Sequence, residues 1–237
     1  MYLAALLLAA IGVADLFRAA DAHRAASRIR SILAAIVVAI AATFAAGYGW
    51  GFALLVIVVA IAWVTTTSPR DDKATAWPPV VLLLLVTASL ASAAVLPVPS
   101  GALTDWYEAL PYPLLESMPF SNAALIAAYS VFLVNSANVV VRATLTLTDS
   151  RIQRSELRIK GGRVIGPIER LFLFWMALAG QLLAIGAIVA AKGILRYPEI
   201  SEREGKKSRG ALAEYVLIGS LVSWGLALVL VPLLAVG

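Results

Sequence analysis

Cysteine is absent from this chain of 237 residues, and there is only one histidine. The lack of cysteine excludes disulfide bridges and thiolate metal sites. Asp15, Asp21 and His23 lie close together in sequence, but zinc and magnesium sites need more convergent ligands than these. The chain also lacks the paired-aspartate motifs of lipid-phosphate transferases. We therefore predict no metal and no cofactor, and we assign no catalytic residue.

Charged residues are scarce. They make up 14% of the sequence, whereas soluble domains average about 25%, and apolar residues make up 61%. At least six apolar runs are long enough to cross a bilayer, which takes about 20 residues, or about 17 at the low end. The net charge of +5 does not indicate nucleic acid, because the basic residues lie in loops beside the apolar runs. Membrane lipids are the predicted partners.

The predicted fold is all-α, a polytopic transmembrane helical bundle of about seven membrane segments. Its predicted parts are four amino-terminal spans in residues 1–97, an extracytoplasmic loop in 98–121 and three carboxy-terminal spans in 122–237. The loop is rich in proline and aromatic residues, which exclude a long helix there. Its three acidic residues are accompanied by no base, which places it outside the cell.

The distribution of lysine and arginine predicts the orientation. Residues 18–30 contain four arginines and are placed inside, so the amino terminus is extracytoplasmic. We predict a multi-pass protein of the cell inner (plasma) membrane, with the basic segment 148–163 also inside.

Residues 168–192 allow two chain paths. Length favours one continuous helix, because its 21 apolar residues would span about 32 Å at a rise of 1.5 Å per residue. Charge favours a hairpin that folds back at Gly180 and Gln181, because it would keep the basic segment 193–209 inside. We predict the continuous helix.

Polar side chains recur within the apolar runs at helical spacing. Asn135, Asn138 and Arg142 share one face of the fifth span. In a continuous helix, residues 170, 181 and 192 would form a second polar stripe, because positions eleven apart differ by only about 20°. Polar groups in hydrocarbon normally face protein or water. We therefore predict one connected polar interior, formed by Asn135, Asn138, Arg142, Glu169, Arg170, Gln181, Lys192, Arg196, Glu214 and Tyr215.

Two specific ion pairs are predicted within this polar interior. Glu169 is expected to pair with Arg142 at the cytoplasmic end. In the continuous helix, Lys192 would lie about 33 Å from Arg170, so we expect it to pair with Glu214 at the other end. The same polar groups could instead serve only to bind neighbouring helices to one another.

The segments GGRVIGPIERLFLF, GQLLAIGAIVAAKGILRYPE and AEYVLIGSLVSW resemble the carboxy-terminal membrane part of an uncharacterised bacterial family, domain of unknown function 3307. The resemblance covers about the last third of the chain and has no match in the first 120 residues. It implies no activity. Its pattern falls on Gly166, Glu169, Arg170, Gly180, Gln181, Ile185, Gly186, Lys192, Arg196, Glu214, Tyr215 and Gly219.

Three classes of function remain open. Arginine, lysine and amide side chains that face inward suit a protein that binds or moves an anionic or lipid-linked ligand. The second class is a structural or accessory subunit of a homo-oligomer or membrane complex. The third is a membrane-embedded enzyme acting on a lipid phosphate, with Glu169 or Glu214 as general base. We rank them in that order.

Overall fold

The computed structural model describes residues 1–18, 24–67, 75–146, 162–201 and 206–235. Secondary structure within these ranges is entirely helical, with no strand. This confirms the predicted all-α class. The helices are α1 (Tyr2–Leu16), α2 (Arg24–Ala45), α3 (Trp50–Thr66), α4 (Trp77–Ala91), α5 (Ala102–Glu108), α6 (Pro113–Glu116), α7 (Phe120–Leu145), α8 (Gly162–Leu178), α9 (Leu182–Ser201), α10 (Lys206–Leu228) and α11 (Val231–Ala235).

Among the described residues, three helical segments are long and apolar enough to cross a membrane: Ala25–Ala45, Phe120–Leu145 and Glu214–Leu234. The apolar helices α1, α3 and α4 and the segment Leu182–Ile194 are shorter. Length and composition thus support the transmembrane character of the chain. The number of seven segments stays a prediction.

The described residues divide into two compact units, and the boundary falls within α7, after Ser136. The first unit contains α1 to α6 and the amino-terminal part of α7. The second contains the rest of α7, from Ala137, and the helices α8 to α11.

Helix α1 forms the core of the first unit. Apart from Asp15 it is apolar on every side, and most of its residues are buried against α2, α3 and α4. Gly12 lets it approach α7, because a Cβ at this position would lie 2.9 Å from the backbone nitrogen of Phe132. A helix that is hydrophobic on every side is expected in a core.

A buried ion pair joins α1 to the end of α3. The Asp15 carboxylate lies 3.1 Å from the Arg18 guanidinium and accepts a hydrogen bond of 2.9 Å from the indole N–H of Trp63. Arg18 also donates to the hydroxyl and carbonyl oxygens of Thr67, each at 3.0 Å, and to the carbonyl of Val64. These last carbonyls of α3 have no partner within the helix, so Arg18 acts as a cap. Asp21 and His23 lie outside the described residues.

The outer faces of α2, α3 and α4 are apolar and exposed. Val37, Leu54, Val58 and Leu83 are each more than half exposed. Large exposed apolar surfaces indicate contact with a membrane or another protein. The loop after α4 contains only the short helices α5 and α6, as its prolines predict.

In the second unit, α8 packs against α9, α10 and α11. It therefore occupies the centre of this unit, and its two adjacent charged residues, Glu169 and Arg170, are both buried.

Candidate functional site

The chain reverses between α8 and α9, and this reversal creates the site. Helix α8 ends at Leu178 in a Schellman motif. The N–H of Gln181 donates to the carbonyl of Met176 at 2.8 Å, and the N–H of Gly180 to that of Ala177 at 3.0 Å. Gly180 has a φ of 69°, in the left-handed region that glycine adopts without a Cβ penalty. The helix therefore stops there.

The prediction of one continuous helix over 168–192 is wrong for this reason. Gln181 lies exposed in the turn, so residues 170, 181 and 192 form no common stripe. The reversal brings Lys192 back beside Glu169, and the ammonium lies 2.7 Å from the carboxylate. The predicted pairing of Lys192 with Glu214 is also wrong, and Glu214 is exposed on α10.

Glu169 is the centre of the first group of contacts. Its side chain is 7% exposed, and both carboxylate oxygens accept hydrogen bonds. Oε2 accepts from Lys192 Nζ at 2.7 Å, and Oε1 accepts from the indole N–H of Trp224 at 2.6 Å. Lys192 Nζ also lies 5.2 Å from the centroid of the Trp224 ring, within the range of a cation–π interaction. One carboxylate thus connects α8 to both α9 and α10.

Arg170 leaves α8 in another direction, because adjacent residues differ by about 100° around a helix. Only 2% of the surface of Arg170 is exposed, which is rare for arginine. Nη2 donates to Asn138 Oδ1 at 2.8 Å, and Nη1 donates to Ser223 Oγ at 3.3 Å. Gly166 lies beside the guanidinium, where a Cβ would be in ordinary van der Waals contact with Nη1 at 3.5 Å. Arg170 therefore links α8 to α10 and to the carboxy-terminal part of α7.

The other predicted residues have different positions. Asn135 belongs to the first unit, where its amide donates to the backbone carbonyl of Asp15 at 3.1 Å. Arg142 lies in the last turn of α7, where it is half-buried and interacts with neighbouring groups. Tyr215 is buried on α10. The side chain of Arg196 lies outside the described residues.

Four of the ten predicted residues thus form one cluster in the second unit: Asn138, Glu169, Arg170 and Lys192. The sequence interpretation did not assign Ser223 or Trp224 to the site. Trp224 offered a signal, because it lies in the middle of the apolar segment Glu214–Leu234, away from the membrane interfaces that tryptophan prefers. A buried indole N–H usually has a hydrogen-bond partner.

The cluster combines a carboxylate held at both oxygens with two cationic side chains of different accessibility. The Lys192 side chain is 20% exposed, whereas Arg170 is enclosed. An ammonium has three N–H donors, and Glu169 accepts one of them. Lys192 is therefore the member of the cluster that can meet an external anion. Within the described part of the chain, no group of three or more His, Asp or Glu side chains could hold a metal ion.

Comparison of the chain with family models, curated proteins and solved structures found no match. The resemblance of its last third to the uncharacterised bacterial family therefore stays a prediction.

Proposed function

We propose that this chain is a polytopic protein of the cell inner membrane, and that its second unit binds or moves an anionic ligand at Lys192. The ligand class is a phosphate or carboxylate, either as a lipid headgroup or as a free solute. The observation that carries the proposal is the partly exposed side chain of Lys192, whose ammonium is held in place by Glu169 and Trp224.

The charge pattern supports a membrane orientation in which α8 and α9 form a hairpin. The turn at Gly180 returns the chain to the side from which α8 began, so the basic segments on either side of the hairpin share that side. The conflict between length and charge in the sequence then disappears. The amino terminus and the acidic loop 97–121 lie on the opposite, extracytoplasmic side.

Cysteine labelling provides a direct test of this topology. We expect single cysteines at Ser155 and Ser208 of the cysteine-free chain to react with a membrane-impermeant maleimide from the same side. The hairpin lies between them, although Ser155 itself is outside the described residues. A cysteine replacing Asp105 in α5 should react from the opposite side. Labelling of Ser155→Cys and Ser208→Cys from opposite sides would contradict the hairpin.

Retention of anionic lipid tests the proposed ligand class. The intact protein is reconstituted in phosphatidylcholine nanodiscs that contain phosphatidylglycerol, extracted with mild detergent and weighed by native mass spectrometry. We expect Lys192→Met to lower the retained phosphatidylglycerol per folded protein at least about tenfold, because a hydrogen bond to a charged group contributes about 1.5–3 kcal/mol. Addition of inorganic phosphate to the wild type distinguishes a free anion from a headgroup by displacing the lipid.

Two control variants separate a specific site from general attraction to anionic membranes. Arg30→Met removes a positive charge from an exposed position on α2 and should retain the lipid at the wild-type level. Lys192→Arg keeps the positive charge and should retain most of the phosphatidylglycerol. Equal retention by wild type and Lys192→Met, measured on folded protein, would exclude Lys192 as the binding group.

A structural role is the second candidate function, and Arg170 favours it. Its guanidinium is enclosed and joins three helices of the second unit through Asn138 and Ser223. Hydrogen bonds between helices in a membrane contribute about 0.6 kcal/mol on average and hold a bundle together without a ligand. In that case the variants at Lys192 change stability and leave lipid retention unchanged.

A further inference from the structure

A second site lies in the first unit, far along the chain from Lys192. An apolar cavity of about 480 Å³, open to the surface, is lined by α1, α2, α5 and the amino-terminal part of α7. Alanines provide much of its wall, including Ala5 and Ala9 on α1 and Ala124 on α7, while Leu103 and Trp106 of α5 line it from the loop. The small alanine side chains leave this space between helices that otherwise pack closely. Its volume lies within the range of about 300–1,000 Å³ that is usual for small-molecule sites.

The two hydroxyl groups in the wall of this cavity already donate hydrogen bonds within the protein. The hydroxyl of Tyr2 donates to the carbonyl of Ala42 at 2.9 Å, and that of Tyr107 donates to the carbonyl of Met118 at 3.0 Å. What faces the cavity is therefore mainly aliphatic carbon and aromatic rings. A polar occupant would lose its hydrogen bonds to water without replacing them, at a cost of several kcal/mol. The occupant that fits is a hydrocarbon chain.

A second cavity, of about 430 Å³, adjoins the first and is more polar. The two share Tyr107, Leu110 and Phe120 in their walls. The second cavity is also lined by two exposed carboxylates, Glu108 and Glu116. The whole loop segment 97–121 contains no basic residue. A molecule whose chain occupies the first cavity would therefore place its polar head beside negative charge.

We infer that the first unit binds a membrane lipid with an ammonium group in its headgroup, with one acyl chain in the alanine-lined cavity and the ammonium beside Glu108 and Glu116. The inference rests on the proposal that the chain lies in a bilayer, and it does not depend on Lys192. Charge complementarity selects the headgroup, and the apolar cavity supplies the affinity.

Photo-crosslinking tests the inference on the full chain. The protein is placed in phosphatidylglycerol nanodiscs, whose lipid carries no ammonium group, with a trace of phosphatidylethanolamine that carries a diazirine on one acyl chain, and the cross-linked peptides are identified by mass spectrometry. Phosphatidylglycerol with the same diazirine chain is the second probe. We expect cross-links from the amine-bearing probe to α1 and α7 around the cavity, about fivefold more than from phosphatidylglycerol, as two exposed ion pairs allow.

Variants of the cavity and of the carboxylates complete the test. Ala124→Trp fills the cavity and should abolish these cross-links, whereas Ala88→Trp, on the exposed face of α4, should not. Glu108→Gln combined with Glu116→Gln should reduce the yield of cross-links from the amine-bearing probe to the yield from the phosphatidylglycerol probe. Cross-links spread equally over α4 and the cavity, or equal yields from both probes with the wild type, would overturn the inference. Because Lys192 is unchanged throughout, this failure would leave the proposed anion site untouched.

Discussion

Glu169→Gln is expected to lower the free energy of unfolding by about 3 kcal/mol, the lower end of the range for removing one partner of a buried ion pair. Glutamine keeps an oxygen that can accept the hydrogen bond from Trp224, so the change removes mainly the negative charge beside Lys192. The lower end applies because the Lys192 side chain is 20% exposed and water compensates part of its charge. Denaturant titration of the purified protein, followed by tryptophan fluorescence, measures the loss.

A double-mutant cycle shows whether the loss comes from the pair itself. We expect Glu169→Gln combined with Lys192→Met to cost less than the sum of the two single changes, because the double variant leaves no unpartnered charge. Glu214→Gln is the matched control, since this exposed glutamate on α10 was the partner that the sequence predicted for Lys192. It should change stability by less than about 0.5 kcal/mol. Additive losses, or a large effect at Glu214, would contradict the observed pairing.

Gly12→Leu is expected to have an effect of similar size on the first unit. A Cβ at this position would lie 2.9 Å from the backbone nitrogen of Phe132 and 3.0 Å from Val131 Cγ1. Backbone atoms cannot move aside as a flexible side chain can, so α1 and α7 would have to separate. Overpacking of a core costs about 1–3 kcal/mol, and we expect the upper part of that range. Gly12→Ala should show a smaller loss in the same direction.

The control for Gly12 is another glycine of the same unit. A Cβ on Gly51, at the start of α3, would meet nothing within 4 Å. Gly51→Leu should therefore be neutral or stabilising by up to about 1 kcal/mol, through helix propensity alone. Thermal denaturation of the three variants in one detergent compares them. A loss at Gly51 equal to that at Gly12 would mean that close helix packing is not the cause.

Much of the helical framework could be predicted because it depends on local composition. Residues 50–66 are almost all apolar in the sequence and form α3, and the mostly apolar residues 2–16 form α1. The prolines of the segment 97–121 limited it to short helices, since proline lacks the N–H that a helix interior needs. The central position of α1 in its unit could not be predicted, because the sequence of an apolar helix does not show whether lipid or protein surrounds it.

The membership of the polar cluster was predicted in part for a related reason. Charged residues within apolar runs need partners, which identified Glu169, Arg170 and Lys192 as residues with a role. Which residues pair depends on the path of the chain. Asn135 and Asn138 share a helix face and yet belong to different units, where one bonds to Asp15 and the other to Arg170.

The sequence alone determined that this protein is helical and rich in apolar segments, and that the few charges within those segments require partners, because these properties follow from composition and helical periodicity. Only the tertiary structure decided the partners. The left-handed conformation of Gly180 ends α8 and reverses the chain, so Lys192 meets Glu169 and not Glu214. The backbone conformation of this short turn sets that direction, and the 3.6-residue period of the neighbouring side chains contains no information about it.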